Sequence, residues 1–223
     1  GLRSGTGSRR RAPAMILREA QVTADMDIVS TIAAAAGLAW ASGMRLYAAV
    51  FMAGLAGRMG WVELPGSLDA LEHPLVLTAA GFMLCVEFFA DKIPALDSLW
   101  DGVHTFIRIP AGALLAAWAL ADQSTPVMLA GALLGGSLTA GTHLTKAGSR
   151  LAINTSPEPV SNLVASGSED GATAGGLWLA FAHPLVFLGL LAVFLLFMVW
   201  LLPRVWRFLS GLLSWVAGKQ APG

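Results

Sequence analysis

Leu185-Val186-Phe187-Leu188-Gly189-Leu190-Leu191-Ala192-Val193-Phe194-Leu195-Leu196-Phe197-Met198-Val199-Trp200-Leu201-Leu202 carries no charged residue. A helix needs about 20 mostly apolar residues to cross the hydrocarbon of a bilayer, and this run nearly meets that length alone. Residues 114–121 and 127–134 are further uncharged runs. Hydrophobic residues make up 56% of the 223-residue chain and charged residues 13%, against about 45–50% and about 25% in an ordinary soluble domain. So short a chain cannot hide that much apolar surface in one core. The reading is all-α: a polytopic transmembrane helix bundle.

Five regions have the necessary length: 28–59, 73–90, 106–121, 126–145 and 177–202. Loops are expected at 61–66, 91–103, 122–125 and, long and polar, 146–176. The chain from 203 to 223 is expected to form an amphipathic interfacial helix and a tail. Val205, Trp206, Phe208, Leu209, Leu212 and Leu213 fall there at helical spacing, with Arg204 and Arg207 between them. Trp61, Trp178 and Trp200 lie near span ends, where indole rings favour the headgroup layer. Residues 1–26 are Arg- and Gly-rich at the start and are expected to be a disordered tail or upstream translated sequence, outside the fold. The single transmembrane domain is then 27–202.

The first region is too long. About 32 residues at 1.5 Å per residue span roughly 48 Å, against a hydrocarbon core of roughly 30 Å. Either the helix tilts or it breaks at Ser42-Gly43. A break gives a discontinuous or re-entrant element and changes the span count, which is about five, and six if both halves cross.

The chain also resembles itself. His73-Pro74-Leu75-Val76 recurs as His183-Pro184-Leu185-Val186, Ile93-Pro94 aligns with Leu202-Pro203, and Ala41-Ser42-Gly43-Met44-Arg45-Leu46 resembles Thr139-Ala140-Gly141-Thr142-His143-Leu144. The matches keep one order, which points to copies at about 28–103 and 126–212. With one span between them the copies are expected to be inverted, as in many transporters.

Arg45 and His143 hold matching places within spans, where a charge is costly and marks a functional site by default. Glu87, Asp91 and Lys92 close the second span. Asp97, Asp101, His104 and Arg108 follow at helical spacing and share one face; they suit either an ion pathway or an ion-paired stripe. Lys146, Glu158 and Asn162 mark the long loop, where Pro157 and Pro159 fix the backbone around Glu158. No zinc-type spacing, phosphate-binding loop or nucleophile elbow occurs, so no catalytic residue, metal or cofactor is expected. Cys85 is the one cysteine, and 14 basic residues balance 14 acidic ones, which gives no reason to expect nucleic acid.

At Ser42-Gly43-Met44-Arg45, Ala90-Asp91-Lys92-Ile93-Pro94 with Asp97, Trp100-Asp101 and His104-Thr105, and Ser156-Pro157-Glu158-Pro159 with Ser161-Asn162, the chain resembles a bacterial family of integral membrane proteins catalogued as domain of unknown function 4126. The resemblance covers about 27–202. It implies a multi-pass protein of the bacterial inner membrane and no particular activity. The expected partners are the lipid bilayer, a small solute or ion, and a second copy of the chain. The leading functional expectation is transport or permeation of a small solute, ion or lipid-linked group. A membrane scaffold comes second, and an enzyme acting at lipid headgroups third.

Overall fold

The computed structural model describes residues 14–91, 93–154 and 159–218. The side chains of 14–26, 94, 95, 97, 98, 151–154, 159–162 and most of 201–218 lie outside that description. The described residues form six helices and a 3₁₀ turn, with no strand among them: α1 Ala14–Arg58, the turn Leu68–Glu72, α2 Pro74–Ala90, α3 Pro94–Ala119, α4 Thr125–Asn154, α5 Pro159–Ala182 and α6 Pro184–Gly218.

Proline sets several of the starts. Pro74, Pro94 and Pro184 occupy the first helical position, where proline's missing N–H costs nothing. The repeated His-Pro pair does the same thing twice. The His73 carbonyl accepts from the Leu77 N–H, and the His183 carbonyl accepts from the Phe187 N–H, each at 3.0 Å. The His73 ring also caps α2, its Nδ1 accepting from the Leu75 N–H at 3.2 Å.

α1 is not straight. Arg45 has φ −147° and ψ 90°, outside the helical region. Asp27 and Ala34 from before this break line one cavity with Met52 and Ala56 from after it. A continuous helix would hold Asp27 and Ala56 roughly 44 Å apart. The chain therefore doubles back at Arg45 into a hairpin of two arms, and the break falls just past Ser42-Gly43.

The other helices stack along this hairpin. α2 runs antiparallel to the second arm, with Leu77 by Gly54, Gly81 by Phe51 and Asp91 at Arg45. α5 runs antiparallel to the first arm, with Ala180 by Gly37, Gly176 by Trp40 and Ser166 at Arg45. α3 and α4 form an antiparallel pair, in which Leu120 meets Gly131, Ala116 meets Gly135 and Gly112 meets Thr139. The core between them is built of small and aliphatic residues: Ala35, Leu38, Ala39, Ala49, Leu115 and Ala116 among others.

Several expectations need correction. Residues 146–176 are mostly helix rather than loop, because the charges there are paired inside the bundle. The region 177–202 is divided at His183, and α6 continues through Pro203 instead of restarting as a separate interfacial helix. α1 begins at Ala14, inside the stretch expected to be a tail.

The matched segments 41–46 and 139–144 pack on each other, with Gly43 against Thr139 and Thr142. The copies are not inverted. The first arm of α1 and α4 run the same way, Ala39 beside Gly135 and Gly43 beside His143. α6 follows them, with Phe187 by Gly37 and Met198 by Gly141. α2 also runs toward the Arg45 end. Two helical runs escaped the sequence count, the return arm of α1 and α5, and together they restore a common sense to both copies.

Beside the apolar core, charged residues are also buried and large apolar ones exposed. Arg45, Glu87, Asp91 and Arg108 have 0% exposure, while Phe106 is 83% and Leu133 75% exposed. By length and composition, 125–150 could cross a membrane, as could 27–58 but for the reversal at Arg45 that divides it, and Pro74–Ala90 and Pro184–Trp200 are shorter apolar helices.

Candidate functional site

Polar residues at helical spacing point inward from five helices toward the end of the bundle where α1 turns. α2 contributes Glu87, with Asp91 as its C-cap. α3 contributes Asp101, His104, Thr105 and Arg108. α4 contributes His143, Lys146 and Arg150, and α5 contributes Ser166, Glu169 and Thr173. All but Thr105 are at most 8% exposed.

Arg45 stands at the turn of the α1 hairpin. Its guanidinium reaches Asp91 Oδ2 at 2.5 Å and Asp170 Oδ1 at 2.7 Å, and Nη2 donates to Ser166 Oγ at 2.7 Å. One residue thus ties the hairpin to the end of α2 and the middle of α5.

Arg108 is the second hub. It pairs with Glu87 through Nη2 and with Asp101 Oδ1 through Nη1 at 2.7 Å. Lys146 Nζ bridges Asp101 at 3.3 Å and Glu169 at 3.5 Å. Arg150 holds Glu169 with a two-point fork, Nε to Oε1 at 2.7 Å and Nη2 to Oε2 at 2.9 Å, the geometry in which arginine–carboxylate pairs are strongest. Glu169 lies 4.0 Å from Arg45 Nη2. The two hubs therefore join in one network, in which four buried cations balance four buried anions and the half-exposed Asp170 sits at the edge.

Both histidines have assignable ring protons. Arg108 can only donate, so its 3.2 Å contact makes His143 Nδ1 an acceptor. His143 Nε2 then donates to Thr105 Oγ1 at 2.7 Å, and Thr105 donates to the Asp101 carbonyl at 2.9 Å. His104 Nδ1 donates to the Trp100 carbonyl at 2.9 Å, so Nε2 accepts from the Tyr47 hydroxyl at 3.1 Å. The Trp100 ring stacks on His104 at 4.1 Å.

Some polar atoms in this region are left over. Arg45 Nη1, Glu87 Oε2 and Arg108 Nε are buried without a hydrogen-bond partner among the described residues. Buried polar atoms are costly to leave unpaired, so the network has donor and acceptor capacity beyond its own pairs. Among the described residues no group of three or more His, Cys, Asp or Glu could hold a metal ion.

Of the residues singled out in the sequence, Arg45, Glu87, Asp91, Asp101, His104, Arg108, His143 and Lys146 come together here. Lys92 and Glu158 lie outside the described residues. Asp97 is on α3 and Asn162 on α5, with side chains outside the description. Sequence reasoning passed over Arg150, Ser166, Glu169 and Asp170 as site residues. The available signal was their spacing: 143, 146 and 150 share one face of a helix, as do 166, 169, 170 and 173.

No curated protein and no solved structure matches the chain. A family model does match, over residues 32–204, which takes in the α1 hairpin, every residue of the charge network and most of α6. The chain belongs to the family described as Domain of unknown function (DUF4126).

Proposed function

We propose that this chain is a multi-pass protein of the bacterial inner membrane that carries a small solute or ion through its charge network. In this reading α1 is a re-entrant hairpin and α2 to α6 are the crossing helices. The observation that carries the proposal is the burial of Arg45, Arg108, Lys146 and Arg150 with their four carboxylates inside a bundle whose outer face is apolar. Ionisable groups within a membrane are rare and line pathways for substrates, ions or protons. A hairpin broken at membrane depth is tolerated where protein or a water-filled cavity surrounds it, and the break at Arg45 has the network around it. The orphaned atoms of Arg45, Glu87 and Arg108 offer places for a polar solute to engage.

The test is flux. Purified protein in proteoliposomes is expected to accelerate uptake of at least one member of a panel of inorganic ions, small acids and small bases, and Lys146→Met is expected to abolish the increase. Equal leak from wild-type, variant and empty vesicles across the panel would sink the transport reading.

A second reading is a membrane scaffold. It draws on the mutual pairing of the charges, which lets the network serve purely to fix helix register. A stoichiometric partner that co-purifies in mild detergent, together with no flux, favours it.

A further inference from the structure

At the end of the bundle opposite the charge network, the two arms of α1 diverge. A cavity of about 940 Å³ opens between them, closed on its other sides by α5 and the segment before the 3₁₀ turn. Its volume is within the range of small-molecule pockets. Met52, Leu177 and Phe181 supply apolar wall, and Trp61 and Trp178 stand at the opening, both well exposed. Two charged residues line it, Asp27 and Glu63, and both are acids. Among the described residues no lysine, arginine or histidine contributes to the wall. Neither carboxylate has an ion-pair or hydrogen-bond partner among the described residues.

We propose that this cavity binds a lipophilic monocation, with its apolar body between the α1 arms and α5 and its charge near Asp27 and Glu63. The chemistry is complementary on both counts. Apolar and aromatic surface removes the body from water, and indole faces attract a cation that the two carboxylates also favour. An anion of the same shape meets the opposite field. The two carboxylates stand apart from the charge network, Asp27 being roughly 27 Å along the first arm of α1 from Arg45, although along α5 the cavity wall begins at Ala174, about one turn past Asp170.

The experiment is equilibrium dialysis of radiolabelled tetraphenylphosphonium against the full chain in nanodiscs, with the uptake of empty nanodiscs subtracted. Saturable binding is expected, weakened about tenfold in the Asp27→Asn/Glu63→Gln double variant by loss of the local charge. Asp122→Asn, at the exposed link between α3 and α4, is expected to bind like wild type. Tetraphenylborate, the same shape with the opposite charge, is expected to show no saturable binding. The proposal is overturned by an absence of saturable tetraphenylphosphonium binding, by equal affinity in the double variant, or by tetraphenylborate binding as well as the cation does. Asp27 and Glu63 are both exposed, so the double variant keeps the fold. Dialysis reads binding without flux, so a failure here and a failure of the transport reading are told apart.

Discussion

Arg45 and Asp91 meet at 2.5 Å with both side chains fully buried, and this pair joins the turn of the α1 hairpin to the end of α2. Removing Arg45 takes its guanidinium from Asp91, Asp170 and Ser166 at once and upsets the charge balance around a fully buried carboxylate. Arg45→Ala is expected to cost about 3–5 kcal/mol, the range for breaking a buried pair. Replacing both partners with apolar residues, as in Arg45→Met/Asp91→Leu, is expected to recover a large part of that loss. Thermal unfolding in detergent, followed by circular dichroism, compares the two variants. If the double variant is no more stable than Arg45→Ala, the lost charge balance at Asp91 is not what makes the single change costly.

Glu169 and Asp170 are neighbours in sequence with different expected weights. Glu169 is 8% exposed and receives the Arg150 fork and Lys146. Asp170 pairs with Arg45 but its side chain is 39% exposed. Glu169→Gln should cost about 2–4 kcal/mol, because it leaves buried cations short of an anion. Asp170→Asn should cost under about 1 kcal/mol, since solvent screens an exposed pair. Chemical unfolding midpoints for the two variants check the order. Equal effects would mean that the network does not end at Glu169.

The sequence made the apolar helices legible, and it made the polar ones illegible for a definite reason. The run 185–202 and the His-Pro starts at Pro74 and Pro184 announce helices by hydropathy and by first-turn chemistry. The spacing of Asp101, His104 and Arg108 already placed them on one face, and Asp101 does pair with Arg108. α5 reads as a loop because its inward face carries Ser166, Glu169 and Thr173, and the middle of its outward face carries Gly167, Ser168, Gly171 and Gly175. Hydropathy averages both faces and cannot see that the polar side is satisfied by Arg45, Lys146 and Arg150 on other helices. The reversal at Arg45 was half legible: the excess length of 28–59 and Ser42-Gly43 marked a place for a break, while the partners that surround the turn, Asp91 and Ser166, lie far away in sequence.

Gly43 decides how closely α1 approaches α4. A Cβ there would lie 2.5 Å from the Thr139 carbonyl oxygen and 2.7 Å from Thr142 Cβ, both on α4. Alanine is otherwise the better helix residue by about 1 kcal/mol. The clash with backbone is expected to reverse that sign, so that Gly43→Ala destabilises by about 1–3 kcal/mol. Gly171 on α5 has open space where a Cβ would go, and Gly171→Ala should stabilise slightly. Melting temperatures of the two variants in one detergent test the contrast. A stabilised Gly43→Ala would show that the contact between the matched segments is looser than it stands here.

Cys85 offers a direct test of the membrane reading, because it is the single cysteine and it faces outward from α2. A thiol in water at neutral pH ionises enough to react with maleimides; one facing hydrocarbon does not, since the thiolate is the reactive form. In the chain by itself Cys85 is exposed, so protein does not shield it. A charged maleimide admitted to both faces of the vesicles is therefore expected to leave Cys85 unmodified, and to modify it once the vesicles are dissolved in denaturing detergent. Asp122 lies in the exposed link between α3 and α4. Asp122→Cys in a Cys85→Ser background is expected to react in intact vesicles. Mass spectrometry of the intact chain reads both. Labelling of Cys85 in the bilayer at the rate of Asp122→Cys would place that face of α2 in water, and the exposed leucines and phenylalanines of the neighbouring helices would then need a protein partner to cover them.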